Sequence, residues 1–397
     1  MLRISDITYP NTALFLEEAI NIAEFYGFRE TKEALSSHKK IPSGNAKRID
    51  TNKLSLARRD EKPLIDAVHT CADHGIGSGT KPLFMWKEGP MIRAGGAQYA
   101  TLELHAIGVR AAIAEAMLLA VTDAIASSAG IERRVVCLNS IGTTDSSARY
   151  TRDLTEYLRK HLADIHPSLR PRVSKDPLGV LTQLVEKDDA VAERAPVSME
   201  YLNEEERRHF WDLLEYLEVA DLYYELNPRI LGSRECWAHA LFDVCKIDAE
   251  NEALVPFARG GRYDTLASSC LGSDSSAVTV TIMCEIHGRS DIKRPKKEKP
   301  HHIYFAHLGP EAKRRSIPVL EMLRTSNIHV HQSLAYDHIG EQMRLAKKLK
   351  VPYILIMGHK EATEGTVLVR DTLTNSQEPI IVDALPGYLR RRRLAHS

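Results

Sequence analysis

The sequence of 397 residues lacks several features that would place it in a simple class. Lys and Arg together number 53, as do Asp and Glu, so the chain has no net charge and any contact with nucleic acid must come from local patches. The six Cys residues form no CxxC pair, which is typical of free thiols in a reducing compartment. No signal peptide is recognised, and Glu115 and Asp123 interrupt the longest candidate apolar run. We therefore expect a cytoplasmic protein without membrane spans.

Hydrophobic periodicity predicts both helices and strands along the chain. Helices are expected at 12–27, 109–129 and 145–165, and strands at 99–107, 135–139, 241–246, 254–258 and 277–284. Residues 83–93 contain Glu88, Gly89 and Pro90, which favour a turn, so this segment is predicted to be a hairpin. The charged segment 174–220 is predicted to be a helical insert. The pattern as a whole indicates mixed α and β structure.

A change in composition indicates the boundary between two domains, which the length of the chain also favours. Residues 291–300 contain five basic residues and two prolines, a composition that does not pack and is typical of a linker. Beyond it, strands alternate with helices of roughly 10–15 residues, which predicts a small, mainly parallel α/β domain. We therefore expect one domain at 1–290, a linker at 291–300 and a second domain at 301–397.

Several segments, in the same order along the chain, resemble histidyl-tRNA synthetase. The strongest match is GGRYD, where the family carries AGGRYDGL; its residues are Gly260, Gly261, Arg262, Tyr263 and Asp264. Residues 137–158 are similar to a strand, turn and helix of the family, and 176–210 to its helical insert. Residues 347–383 are similar to its anticodon-binding fold, with Gln377 in the usual place.

This resemblance implies an α+β fold. The first domain would be a class II synthetase catalytic-type domain, built on an antiparallel sheet with a helical insert. A C-terminal α/β domain of the anticodon-binding type would follow it. The family forms homodimers through its first motif, so a homodimer is also implied.

Part of the expected ligand pocket is retained. By resemblance, Arg93 matches the arginine that holds the α-phosphate of ATP, Glu103 and His105 match a strand of the histidine signature, and Glu285 matches the glutamate of motif three. Glu103 and His105 would lie on one face of a strand, where they either form a metal or acid–base site or simply line the core. We predict no metal site. The GGRYD string likewise either marks a ligand pocket or fixes a turn at the sheet edge.

Other positions of the pocket depart from the family. Ala106 stands where the family has the glutamine that lines the histidine pocket. Arg110 stands where the family has the glutamate that binds the ammonium group of histidine. Gly232 stands where the family has its catalytic arginine. Ile286 stands where the family has the arginine that clamps the γ-phosphate. Fixed guanidinium groups stabilise the charge of a phosphoryl transition state, and each such contact is worth roughly 1.5–3 kcal/mol. Losing several would lower the rate by many decades. Arg234, two residues beyond Gly232, could restore a cation only after a local shift.

These losses, beside an intact C-terminal match, favour a tRNA-, RNA- or partner-binding pseudo-synthetase over an enzyme. Two alternatives stay open. One is a divergent but active histidine–tRNA ligase, which would use ATP and Mg²⁺ and need Arg234 and Arg289 as substitutes. The other is a regulatory subunit of the ATP phosphoribosyltransferase type, a family that typically keeps the histidine pocket and lacks a full anticodon domain. No other cofactor is expected. The candidates for RNA contact are Gln377, Arg390, Arg391, Arg392 and Arg393, although the arginines could equally be a solvated terminus.

Overall fold

The structure is a computed structural model that describes residues 1–36, 49, 61–77, 81–92, 98–272, 274–287 and 303–392, with the backbone alone at 91, 92 and 98. Its strands form two sheets, one of eight strands and one of five. The boundary predicted at 291–300 lies outside the described residues. The domain limits drawn from the sequence therefore stay predictions.

The eight-stranded sheet organises the first part of the chain. Its strands are β1 (Arg29–Glu30), β2 (Leu83–Ile92), β3 (Gln98–Ile107), β4 (Arg134–Ser140), β5 (Tyr224–Leu226), β6 (Ala238–Ile247), β7 (Leu254–Arg262) and β8 (Ala277–Glu285). They lie in the order β1-β2-β3-β8-β7-β6-β4-β5. The inner strands pair antiparallel, whereas the edge strands β1 and β5 pair parallel with their neighbours. This confirms the predicted α+β class with an antiparallel sheet.

Helices cover both faces of this sheet. They are α1 (Thr12–Phe25), α2 (Thr31–Ser36), α3 (Lys62–Asp73), α4 (Ile113–Ser128), α5 (Thr144–Lys160), α6 (Pro177–Glu186), α7 (Ala190–Glu193), α8 (Glu204–Val219) and α9 (Asp264–Leu271). Helices α1, α4 and α8 share a core with Leu102 and Leu104 of β3. Helices α3 and α9 share another core with Leu83 and Ile107. Because side chains alternate along a strand, Glu103 and His105 point to the α3/α9 face.

The hairpin predicted within 83–93 is wrong. Strand β2 runs without a break from Leu83 to Ile92 and pairs along its whole length with β3, so Gly89 lies opposite Thr101 and Pro90 opposite Ala100. Proline is tolerated there because the partner of β2 on the other side, β1, pairs only with residues 85 and 86. The turn signal at 88–90 therefore fell inside an extended strand.

The five-stranded sheet lies in the C-terminal part of the chain. Its strands are β9 (Ile303–His307), β10 (His331–Gln332), β11 (Tyr353–Met357), β12 (Thr366–Asp371) and β13 (Gln377–Ile381), with helices α10 (Pro310–Thr325), α11 (Ile339–Leu349), α12 (His359–Glu364) and α13 (Leu385–Arg391). Strands β10, β9 and β11 pair parallel, but β11, β12 and β13 pair antiparallel. The mainly parallel sheet was therefore predicted correctly for three strands and wrongly for two. The connections before and after β12, residues 358–365 and 372–376, are each too short for a parallel crossover.

Helix α10 joins the two parts of the chain. Arg314 forms ion pairs with Glu215 and, at 3.5 Å, with Asp212, both on α8. The hydroxyl of Tyr26 donates to Glu321 of α10 at 2.7 Å. These contacts fix the C-terminal sheet against α1 and α8.

Candidate functional site

A row of polar side chains crosses the α3/α9 face of the large sheet. The pairing places Lys87, Glu103, Thr281, Arg259 and Asp243 side by side on five neighbouring strands. The charges therefore alternate along the row: positive and negative on one side of the neutral threonine, then positive and negative on the other. A ligand on this face would meet both signs of charge within a few strands.

Glu103 and His105 are buried next to this row. The Nδ1 atom of His105 lies 3.0 Å from the Tyr263 hydroxyl, and its Nε2 atom lies 3.7 Å from Oε2 of Glu103. Burial raises the pKa of Tyr263 well above its usual value, so the phenol keeps its proton. Among the described residues, Glu103 Oε2 and His105 Nε2 find no hydrogen-bond partner, and no three potential metal ligands converge. Two unsatisfied polar atoms thus remain at the buried edge of the site.

Arg262 of the GGRYD string is fully buried and forms an ion pair with an equally buried carboxylate, Glu115 of α4. Its Nε donates to Glu115 Oε1 at 2.7 Å and its Nη1 to the Val109 carbonyl at 3.0 Å. Burial opposes ionisation of Glu115, but the charges of Arg262 and His209 outweigh it and hold its pKa well below the usual value. These contacts tie β7 to the start of α4, and they leave the guanidinium little capacity for a ligand.

The two glycines of the string are required by close strand packing. A Cβ on Gly260 would lie 2.2 Å from the Thr279 carbonyl oxygen, and one on Gly261 would lie 2.6 Å from that of Ala240. Gly261 also has a φ of +153°, which disfavours any side chain. The geometry therefore explains Gly260, Gly261 and Arg262 by packing without invoking a ligand.

At Gly232, the position that resembles the family's catalytic arginine, the space for a side chain is occupied. A Cβ on Gly232 would lie 2.5 Å from Cδ1 and 2.9 Å from Nε1 of Trp237. Trp237 is itself buried in the core beneath α3 and α9. An arginine could not begin here unless the indole moved.

Side chains from elsewhere hold the loop that contains Gly232. The Ser233 amide donates to Glu61 Oε1 at 3.2 Å, and the Cys236 thiol lies 3.4 Å from Glu61 Oε2. Arg259 Nη2 donates to the Leu231 carbonyl at 2.5 Å. The sequence analysis did not select Arg259, although it stands where the family's AGGRYDGL has alanine. That substitution was the available signal for it.

The remaining candidates of the catalytic-type domain do not join this cluster. Arg234 and Glu285 are exposed, and so is Ile286, at 42%. Arg110 lies beyond the far end of β3, where it donates to the Asp274 carbonyl at 3.3 Å. Arg93 and Arg289 lie outside the described residues.

A small groove in the C-terminal sheet brings together two of the RNA candidates. It has a volume of about 280 Å³ and is lined by Tyr353, Val369, Asp371, Ser376, Gln377, Glu378, Tyr388 and Arg392. The guanidinium of Arg392 lies 5.2 Å from the centre of the Tyr388 ring and 3.7 Å from Glu378. Arg390 and Arg391 are exposed on α13, where Arg390 donates to the Ser326 carbonyl at 3.1 Å. Arg393 lies outside the described residues.

The C-terminal part of the chain matches a family model described as an anticodon binding domain, over residues 303–392. Curated relatives span more of the chain. It is 27% identical to a histidine–tRNA ligase of Thermosynechococcus vestitus over 81% of this chain and 76% of the relative. It is 25% identical to a histidine–tRNA ligase of Caldanaerobacter subterraneus over 92% of each protein.

A solved structure, the apo histidyl-tRNA synthetase of S. aureus, aligns with a TM-score of 0.48 at 19% identity and covers 94% of both chains. Among the described residues, no helix has the length and apolar character needed to cross a membrane.

Proposed function

Because the chain is a divergent member of the histidyl-tRNA synthetase family, we propose that it no longer makes histidyl-tRNA and that it works as an RNA-binding pseudo-synthetase. The observation that carries this proposal is the indole of Trp237, which fills the space where a side chain on Gly232 would begin. In the resemblance, that side chain is the catalytic arginine.

The contacts around Gly232 make it difficult for another residue to replace the missing catalytic arginine. Glu61 and Arg259 hold the two ends of the same loop, so the cation of Arg234 would have to be rerouted through a loop that is already fixed. Glu61 and Arg259 are themselves engaged with this loop. The guanidinium of Arg259 therefore donates to the protein's own backbone, at the Leu231 carbonyl, instead of to a phosphoryl transition state.

Two positions that resemble the family's cationic contacts to ATP carry no cation in this chain, namely Gly232 and Ile286. At the position that resembles the γ-phosphate arginine, the exposed side chain is that of Ile286, which has no charge to offer a phosphate. We therefore assign no step to bound ATP or to a metal.

The groove in the C-terminal sheet supports RNA binding. Tyr353 and Tyr388 offer aromatic rings on which a base could stack, and Gln377 offers an amide that could bond to its edge. Arg392 adds a cation for a phosphate. Since the C-terminal domain is of the anticodon-binding type, tRNA is the RNA we propose. We also propose that the protein is a cytoplasmic homodimer, in line with the family and with its six free, buried cysteines.

The test combines tRNA binding and charging on the purified full-length chain. We expect a filter-binding assay to show tRNA binding and an acid-precipitation assay with labelled histidine to show no charging. Gln377→Ala should weaken tRNA binding, whereas Thr363→Ala, at an exposed site of α12 outside the lining of the groove, serves as the control. Charging would support the divergent ligase instead. Absence of tRNA binding would contradict the RNA-binding role and would direct attention to a protein partner, as in the regulatory alternative.

A further inference from the structure

A second cavity lies at the junction of the two parts of the chain. It has a volume of about 390 Å³, which is enough for a small metabolite. One wall is formed by residues 107–111, Ile113, Asp274, Ser275 and Ser276, and the opposite wall by Lys313, Ala335 and Asp337. The cavity therefore exists only where the C-terminal part of the chain faces the end of β3.

Each wall contributes one cation. Lys313 is almost fully buried, with a side-chain exposure of 9%, and forms an ion pair with Asp337, which is 76% exposed. Arg110 lies across the cavity and has only long contacts to Asp274, at 3.3 Å to its carbonyl and 3.9 Å to its carboxylate. Asp274 is 79% and Arg110 72% exposed, so solvent screens the charges of both acids and of Arg110 alike, and among the described residues of the lining Lys313 is the one buried charge. The ammonium of Lys313 is desolvated, so an anion inside the cavity would interact with it strongly.

Backbone groups add to the positive potential. Helix α4 begins at Ile113, on the wall of the cavity, and runs for 16 residues away from it. The first N–H groups of a helix carry a partial positive charge; in α4 the N–H of Ala114 donates to the Ala111 carbonyl at 3.2 Å, and the carboxylate of Glu115 in the same turn is paired with Arg262. The carbonyls of Val109 and Ala111 are already engaged by Arg262, so these oxygens do not oppose an anion.

We propose that this cavity binds a small dianion, of the phosphate-monoester or dicarboxylate class, between Arg110 and Lys313. Arg110 would provide a guanidinium fork and Lys313 a buried point charge, so the ligand would bridge the two parts of the chain. The sequence resemblance places a glutamate of the family at Arg110, and this reversal of charge makes the site suited to an anion. The proposal is independent of RNA binding, and the experiment below contains no RNA.

The experiment is isothermal titration of the full chain with inorganic phosphate and, separately, with succinate, at constant ionic strength and pH 7.5. We expect at least one of the two to bind, and the two titrations decide between the phosphate and carboxylate classes. Arg110→Glu should weaken binding at least tenfold. Arg315→Glu, an identical change at an exposed site of α10 outside the lining, should leave it unchanged.

A third variant tests the buried cation without the risk of unfolding. Asp337→Asn removes the acid that competes for Lys313, so it should tighten binding several-fold while leaving the lysine in place. Binding of neither anion to the wild-type chain would overturn the proposal. Equal losses in Arg110→Glu and Arg315→Glu would overturn it too, because the effect would then reflect net charge alone.

Discussion

Replacing Gly232 by alanine tests whether the indole of Trp237 occupies the space that a side chain at position 232 would need. The new Cβ would lie 2.5 Å from Trp237 Cδ1, whereas carbon atoms in contact are about 3.5–4.0 Å apart. The indole is buried and cannot retreat without disturbing the core beneath α3 and α9. Overpacking of this kind costs about 1–3 kcal/mol. We expect a loss of that size in the free energy of unfolding, measured by urea denaturation.

A double-mutant cycle separates this overlap from other effects. Trp237→Leu removes the ring and is destabilising by itself, but it leaves room for a methyl group at Gly232. In that background Gly232→Ala should cost little, so the coupling between the two changes should be about 1–3 kcal/mol. Gly89→Ala is the control, because a Cβ there meets nothing within 4 Å. Equal costs of Gly232→Ala in both backgrounds would refute the reasoning.

Three further predictions concern burial and charge. Glu115→Gln leaves Arg262 with Asp264, at 3.5 Å, as its remaining carboxylate partner, and should cost about 3 kcal/mol in urea unfolding, the lower end for breaking a buried pair. Because the pKa of Glu115 is lowered in the folded state, the wild type should lose this stability as the pH falls below about 4.3, and the variant should lose less. Burial and the nearby charge of Lys313 lower the pKa of His307 to about 4, so as the pH falls the unfolded state takes up this proton first. The free energy of unfolding should therefore fall by about 3 kcal/mol between pH 6.5 and 4. His307→Phe should flatten this slope in a pH series of unfolding curves. Arg392→Ala should weaken tRNA binding and reduce the slope of log K against log[salt] by about 0.7–0.9, and an unchanged slope would show that Arg392 contacts no phosphate.

Local patterns in the sequence were enough to predict most strands and helices. The alternation at 99–107 corresponds to β3, which places Glu103 and His105 on one face, as expected. The turn signal at Glu88-Gly89-Pro90 failed because strand pairing outweighs local preference where a long partner strand is present. The antiparallel end of the C-terminal sheet depended on two short connections, 358–365 and 372–376, whose effect on strand direction periodicity does not show.

The site was less predictable because its contacts join distant parts of the chain. Arg262 was selected from its motif, but its partner Glu115 is 147 residues away and gives no signal in the sequence. The same holds for Trp237, whose ring fills the space at Gly232 only because of the path of the loop between them. Nothing in the sequence indicated that Arg110, expected in the ligand pocket, lines a cavity between the two parts of the chain.

Histidine-dependent exchange of labelled pyrophosphate into ATP tests the central claim most directly, because it measures the first chemical step without requiring tRNA. The Caldanaerobacter subterraneus relative, assayed beside this chain, provides the positive control. We predict no exchange above the background without histidine, even at high protein concentration. Exchange that depends on histidine would contradict the account, since it would mean that the site forms the adenylate with Trp237 next to Gly232.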